Sequence, residues 1–141
     1  MKTPIPGLRS PHDQVDGLYY FGRMIDKIRL QQAGRLPDDY KPNLGTGFDE
    51  RCVHLLRISY RDLTDRVAEG RTDEELCSWA RNEGCWPGDG ELEIWNEFMR
   101  KRGWNDDVTP SLDKRKAEGS FANRDDIQTF FQYIDADEGR M

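Results

Sequence analysis

Glu93-Ile94-Trp95-Asn96-Glu97-Phe98-Met99-Arg100-Lys101-Arg102-Gly103-Trp104 decides the fold class, because a helix, its buried face, its stop and its charge layout are written into it together. At roughly 3.6 residues per turn, Leu92, Ile94, Trp95, Phe98 and Met99 fall within one arc, expected to be buried. Glu93, Asn96, Glu97, Arg100 and Lys101 fill the arc expected to face water. Gly103 stops the helix. Arg100, Lys101 and Arg102 sit in the last turn, where each positive charge offsets the negative end of the helix dipole by roughly 0.3–1 kcal/mol. The basic cluster therefore has a structural reason.

The same grammar extends in both directions. Upstream, Thr72 with Glu75 spells a capping box, and Leu76, Trp79 and Ala80 follow at helical spacing before Gly84 and the Trp86-Pro87-Gly88 turn. Ser59 with Asp62 starts a helix that uses Tyr60, Leu63 and Val67 and ends at Gly70. Phe48 ahead of Asp49 reads as an apolar residue before an N-cap, with Cys52, Val53, Leu55 and Leu56 lining a short helix; the run from Val53 to Ile58 also fits a strand. The first helix is expected from near Asp16 to Gly34. Leu18, Phe21, Ile25 and Ile28 share one face, with Tyr19 and Leu30 on another, so it should be central. Residues 35–47 carry Pro37, Pro42, Gly45 and Gly47 and read as loop. Downstream, Ser111 begins a mostly polar helix to about Glu118, and Asn123 caps a last helix with Ile127, Phe130, Phe131 and Ile134 inside. The expected class is all-α, a compact domain of six or seven short helices and no hairpin, spanning 16–135. An extended N-terminal arm covers 1–15, and the tail 136–141 is expected to fray.

At 141 residues, a chain of this size can bury roughly 68% of the surface its unfolded form exposes. With 35% hydrophobic, 11% aromatic and 34% charged residues it is polar, yet too rich in aromatic side chains for disorder. Twenty-one basic against 27 acidic side chains leave a net charge of −6, which opposes phosphate-backbone contacts and excludes nucleic acid as a general partner. No apolar run approaches the roughly 18–20 residues of a membrane span, and Pro4, Pro6 and Pro11 interrupt what a signal peptide would need, so the expected location is the cytoplasm, with no membrane partner. Cys52, Cys77 and Cys85 are odd in number and form no C-x-x-C pair; reduced thiols are expected, Cys85 being the most reachable.

Four segments carry a resemblance: Asp26-Lys27-Ile28-Arg29-Leu30, Asn43-Leu44-Gly45-Thr46-Gly47-Phe48-Asp49, Ile94 to Trp104, and Arg124-Asp125-Asp126-Ile127-Gln128-Thr129-Phe130-Phe131. Together they resemble a small bacterial family catalogued as a domain of unknown function (DUF5069-like), over most of the chain. The resemblance implies a small soluble bacterial domain and brings no catalytic residues with it.

Two groups of residues offer chemistry. Arg23, Asp26, Lys27 and Arg29 lie on the first helix beside the 35–47 loop, and Asp26 is spaced for ordinary helical ion pairs with both arginines. The functional reading has Asp26 hold Arg29 so that its fork meets a carboxylate or phosphate near Tyr40 and Asn43. Asp49, Glu50 and His54 form the second group. Glu50 and His54 are four apart, but a metal site needs three or four ligands, so neither a metal nor any other cofactor is expected. Gly45-Thr46-Gly47 lacks the Lys of a phosphate loop and reads as a hinge or close-packing turn. Two functions remain. A non-enzymatic helical domain that binds another protein, or itself, is favoured because no nucleophile, metal set or cofactor loop is present. The alternative is a small-molecule binder or enzyme whose aromatic-walled pocket is polarised by Arg29 and Asp49. The candidate binding residues are Asp26, Arg29, Tyr40, Asn43 and Asp49.

Overall fold

The computed structural model describes residues 2–141, and its regular elements are almost all helices. One departure comes first in the chain. Gln14–Val15 (β1) and Leu18–Tyr19 (β2) pair antiparallel, Gln14 with Tyr19 and Val15 with Leu18, so the helix expected from Asp16 begins later and a hairpin stands where none is expected from the sequence. The reason is the Asp16-Gly17 dipeptide: both residues have positive φ, 50° and 82°, which suits a two-residue hairpin turn.

α1 (Phe21–Gln32) follows, and every residue from Phe21 to Ile28 is buried. It is the central element. Gly22 allows this crowding, since a Cβ there would lie 2.8 Å from the Arg9 guanidinium carbon and 2.9 Å from a Val15 methyl. The expected loop contains a 3-10 helix over Asp38–Asn43. Next come α2 (Phe48–Leu56), α3 (Tyr60–Ala68), α4 (Asp73–Glu83), α5 (Asp89–Lys101), α6 (Thr109–Glu118) and α7 (Phe130–Asp137). The Ser59 cap and the Thr72–Glu75 capping box form as their spacing predicts. Phe48 lies inside α2 rather than ahead of it, and Gly47 stands at the cap.

The last helix starts at Phe130, not at Asn123. Thr129 Oγ1 accepts the Gln132 N–H at 3.1 Å, and the Gln132 side chain accepts from Gln128 N–H at 2.7 Å. A Thr-x-x-Gln cap thus outcompetes Asn123, while Ile127 reaches the core from the preceding turn.

The main core runs from the hairpin through α1 to α5 and Phe131. α5 corrects the opening arc. Trp95 and Met99 are buried, but Ile94 is 72% and Phe98 40% exposed. The inward face instead includes Asn96, whose side chain accepts from Tyr19 N–H at 3.0 Å and donates to Gly17 O at 2.8 Å, while Trp95 Nε1 donates to Tyr19 O at 3.1 Å. A hairpin of two-residue strands leaves backbone groups unpaired, and these two side chains satisfy them.

The chain ends are tied down as well. Leu8 is buried, and Arg9 grips Asp26 through Nε (2.9 Å) and Nη2 (3.0 Å) while Nη1 reaches Asp73 at 2.9 Å. Where fraying was expected, Ala136 and Glu138 are buried. Glu138 accepts from Arg23 through both oxygens at 2.9 and 2.7 Å, from Tyr40 Oη at 2.6 Å and from Arg140 Nη1 at 2.6 Å. Burial works to raise the Glu138 carboxyl, but the hydrogen bonds and charge of Arg23 outweigh it and hold it below the usual 4.5. A depressed carboxyl lends stability above its unfolded value and loses it as pH falls through the folded one. The urea midpoint should therefore drop as pH goes from about 5 to about 3, and Glu138→Gln should flatten that slope.

Candidate functional site

The five residues singled out in the sequence divide into two places. Asp26 and Arg29 join Arg9 and Asp73 where the N-terminal arm crosses α1. Arg29 Nη1 lies 3.0 Å from Asp73 and 3.6 Å from Asp26, and its Nη2 donates to Arg71 O at 3.1 Å. This cluster fastens the arm, and Arg29 does not reach Tyr40 or Asn43. With its side chain 36% exposed and Arg9 still serving Asp26, Arg29→Ala should cost no more than about 1 kcal/mol in denaturant unfolding. Arg29→Met should cost still less if packing of the stem is what counts.

Tyr40 and Asn43, by contrast, line a cleft of about 740 Å3, a size suited to a small molecule. Its walls come from α1 and the residue before it, the 3-10 helix, the start of α2, Arg102 after α5, and the facing sides of α6 and α7. The Gly45-Thr46-Gly47 turn shapes one edge and is a close-packing turn, since a Cβ on Gly45 would sit 3.1 Å from the Tyr60 ring. Phe48, Phe130 and Tyr133 supply aromatic surface. No Trp is among its lining residues.

Tyr20, Arg23 and Lys27 enter this cleft as one stripe of α1, at the spacing i, i+3, i+7. Lys27 is the most constrained of them. Its side chain is only 7% exposed, and its Nζ donates to Asp49 Oδ1 at 2.8 Å and to Tyr20 Oη at 3.0 Å. Asp49 is fully buried behind the wall. It also accepts from Tyr20 Oη at 2.6 Å and from Gly45 N–H at 2.9 Å. Burial pushes the Lys27 ammonium below its usual value while the Asp49 charge opposes the shift. Burial, with Asp49 adding to it, pushes the Tyr20 phenol well up, so Tyr20 keeps its proton and donates it. An ammonium has three N–H groups; two of Lys27's are taken by protein.

The cleft is charged at its mouth too. Arg51 and Arg115 line it and have no carboxylate partner among the described residues, whereas Arg102 meets Asp107 at 2.8 Å through Nη1. The Phe98 ring explains how Arg51 and Arg102 are placed, because both guanidinium carbons lie 5.3 Å from its centre. An aromatic side chain that is 40% exposed is here a support for two cations.

Sequence reasoning missed Arg51, Arg102 and Arg115, which no spacing brings together. Lys27 and Arg23 were in view as charged residues on a helix with apolar residues on more than one side. Glu50 and His54 are both exposed, and no group of three or more metal-ligating side chains occurs among the described residues. Burial lifts the Cys77 thiol to about 11 and Cys52 higher still, which leaves neither a nucleophile at neutral pH; Cys85 is exposed. No helix among the described residues is long and apolar enough to cross a membrane. A comparison with curated proteins finds no match. The model of a family described as Domain of unknown function (DUF5069) matches residues 5–140, nearly the whole chain, and the protein belongs to that family.

Proposed function

We propose that this domain binds a small molecule in the cleft between α1, α2, α6 and α7, as a bacterial cytoplasmic protein. The observation that carries the reading is Lys27: a lysine held almost out of water, and in the wall of a cleft large enough for a metabolite. An ion pair buried for stability alone gains little over apolar packing, because desolvation consumes much of the attraction. Placing the pair beside a cavity gives its cost a use. Asp49 fixes the ammonium from behind, Tyr20 fixes it from the side, and Tyr40 is locked by Glu138, so the polar groups are set before a ligand arrives. The pocket differs from the one the sequence suggested in having Lys27 and Arg23 in its inner wall and Arg51, Arg102 and Arg115 among its lining, and not Arg29.

The test is amide chemical-shift mapping with neutral, cationic and anionic small molecules at millimolar concentration. Saturable shifts at Thr46, Gly47 and Tyr133 support the reading. A panel that leaves those amides unmoved overturns it.

The interaction reading keeps one observation in its favour. Ile94, 72% exposed, and Trp104, 53% exposed, lie on the outside of α5 and just beyond its end. If this surface pairs two copies of the chain, sedimentation velocity will show a dimer that Ile94→Lys returns to monomer.

A further inference from the structure

Phe98, Arg51 and Arg102 form a unit that the core does not need. Phe98 projects from α5 without being buried, and what it does touch are two guanidinium groups from different elements, one on α2 and one past the end of α5. Both guanidinium carbons lie 5.3 Å from the centre of that one ring. The ring attracts both and holds them in fixed orientation. Arg102 spends Nη1 on Asp107 and Asp106; its Nε and Nη2 form no hydrogen bond among the described residues. Arg51 forms none from its side chain there. Both line the cleft. Two oriented guanidinium forks without full partners, at the mouth of a cleft whose inner wall offers an ammonium, define a ligand with an anionic end outside and hydrogen-bond acceptors within.

We propose that the cleft takes a small oxyanion-bearing metabolite, a phosphate or carboxylate ester or acid with a hydroxyl- or carbonyl-bearing body. Arg51 and Arg102 grip the anion, Phe98 acts as their positioning residue, and Lys27 donates to an oxygen of the body. This inference rests on the binding reading above and adds the chemical class of the ligand. The chain's charge of −6 makes the local arrangement informative: in a chain with more acidic than basic side chains, Arg51 and Arg115 both line this cleft without a carboxylate partner among the described residues. Arg51, without a carboxylate partner, and Arg102, with Nε and Nη2 still open, share one ring beside the cleft.

The experiment is a titration of the folded protein, followed by amide shifts at Thr46, Gly47 and Tyr133, with four probes: inorganic phosphate, citrate, ribose and ribose 5-phosphate. Phosphate or citrate is expected to saturate these shifts, the stronger of the two naming the anion. Ribose 5-phosphate is expected to bind at least about tenfold more tightly than phosphate, since its body adds a charge-assisted hydrogen bond to Lys27. Arg51→Ala should weaken every anionic probe by about tenfold or more, and Arg61→Ala, an exposed arginine on α3, should change nothing. Phe98→Ala should weaken binding with both cations kept, and Phe98→Trp should restore it. The paired variant Lys27→Met, Asp49→Asn removes the buried charges together, so that it folds. It should abolish the advantage of ribose 5-phosphate over phosphate and leave phosphate itself unchanged. Equal losses in Arg51→Ala and Arg61→Ala, or an unaltered Phe98→Ala, would overturn the proposal. Ribose moving the cleft amides while no anion does would also overturn it and leave the binding reading standing; no probe moving them would overturn both.

Discussion

Asp49→Ala is expected to destabilise the fold by about 3–5 kcal/mol, the cost of leaving a buried charge without its partner. Asp49 is fully buried and meets three donors: the Lys27 ammonium, the Tyr20 hydroxyl and the Gly45 N–H. Removing it leaves the Lys27 ammonium without its counter-charge and the Tyr20 hydroxyl and Gly45 N–H without their acceptor. The paired Lys27→Met, Asp49→Asn variant removes the charge along with its partner and should recover most of the loss, because an apolar stem of similar volume fills the space and Asn still accepts from Tyr20. Urea unfolding of wild type, single and double variants measures both quantities. A single-variant loss under about 1 kcal/mol would mean that Lys27 swings into the cleft and finds water, which would make the ammonium mobile rather than preset.

Trp95→Ala should cost a similar amount, about 3–5 kcal/mol. The indole is 8% exposed and its Nε1 donates to Tyr19 O at 3.1 Å, so the substitution opens a cavity and also frees a hairpin carbonyl. The adjacent Ile94, 72% exposed, supplies the internal comparison. Ile94→Ala should fall within about 0.5 kcal/mol of wild type. Equal losses at the two positions would show that α5 is rotated about its axis relative to this structure.

These two neighbours also show what the sequence could and could not reveal. Helix caps were legible at Ser59 and Thr72 because capping is a contact between residues three apart, entirely local. The rotation of α5 was not, since it depends on a distant hairpin asking for Asn96. The Asp16-Gly17 turn was legible and was passed over: Leu18, Phe21, Ile25 and Ile28 fit a helical period well enough to absorb a strand of two residues. The same distinction divides the site. Asp26 and Arg29 attracted notice as a helical pair, and a helical pair is what they largely remain, with Arg9 and Asp73 added from afar. Asp49 was identified without its partner. Its bond to Lys27 joins residues on two helices, and nothing in the spacing of either announces the other. Arg51 and Arg102 are further still from local logic, since only the fold places both on Phe98.

The clasp between the two chain ends bears on when this protein becomes itself during synthesis. Lys2 meets Asp137, Arg140 donates to Leu8 O, and Arg23 of the central helix has Glu138 as its carboxylate. A nascent chain that has emerged only as far as α6 carries a buried arginine with no counter-ion and a cleft lacking one wall. Helices form from local contacts in sequence order, but contacts of such long separation close last. Ribosome-bound chains stalled before residue 130 should thus remain protease-sensitive around α1, and protection should arrive in one step once residue 138 is free. Under the binding function proposed above, a chain stalled before residue 130 would also lack the α7 wall of the cleft and should not bind the anionic probes.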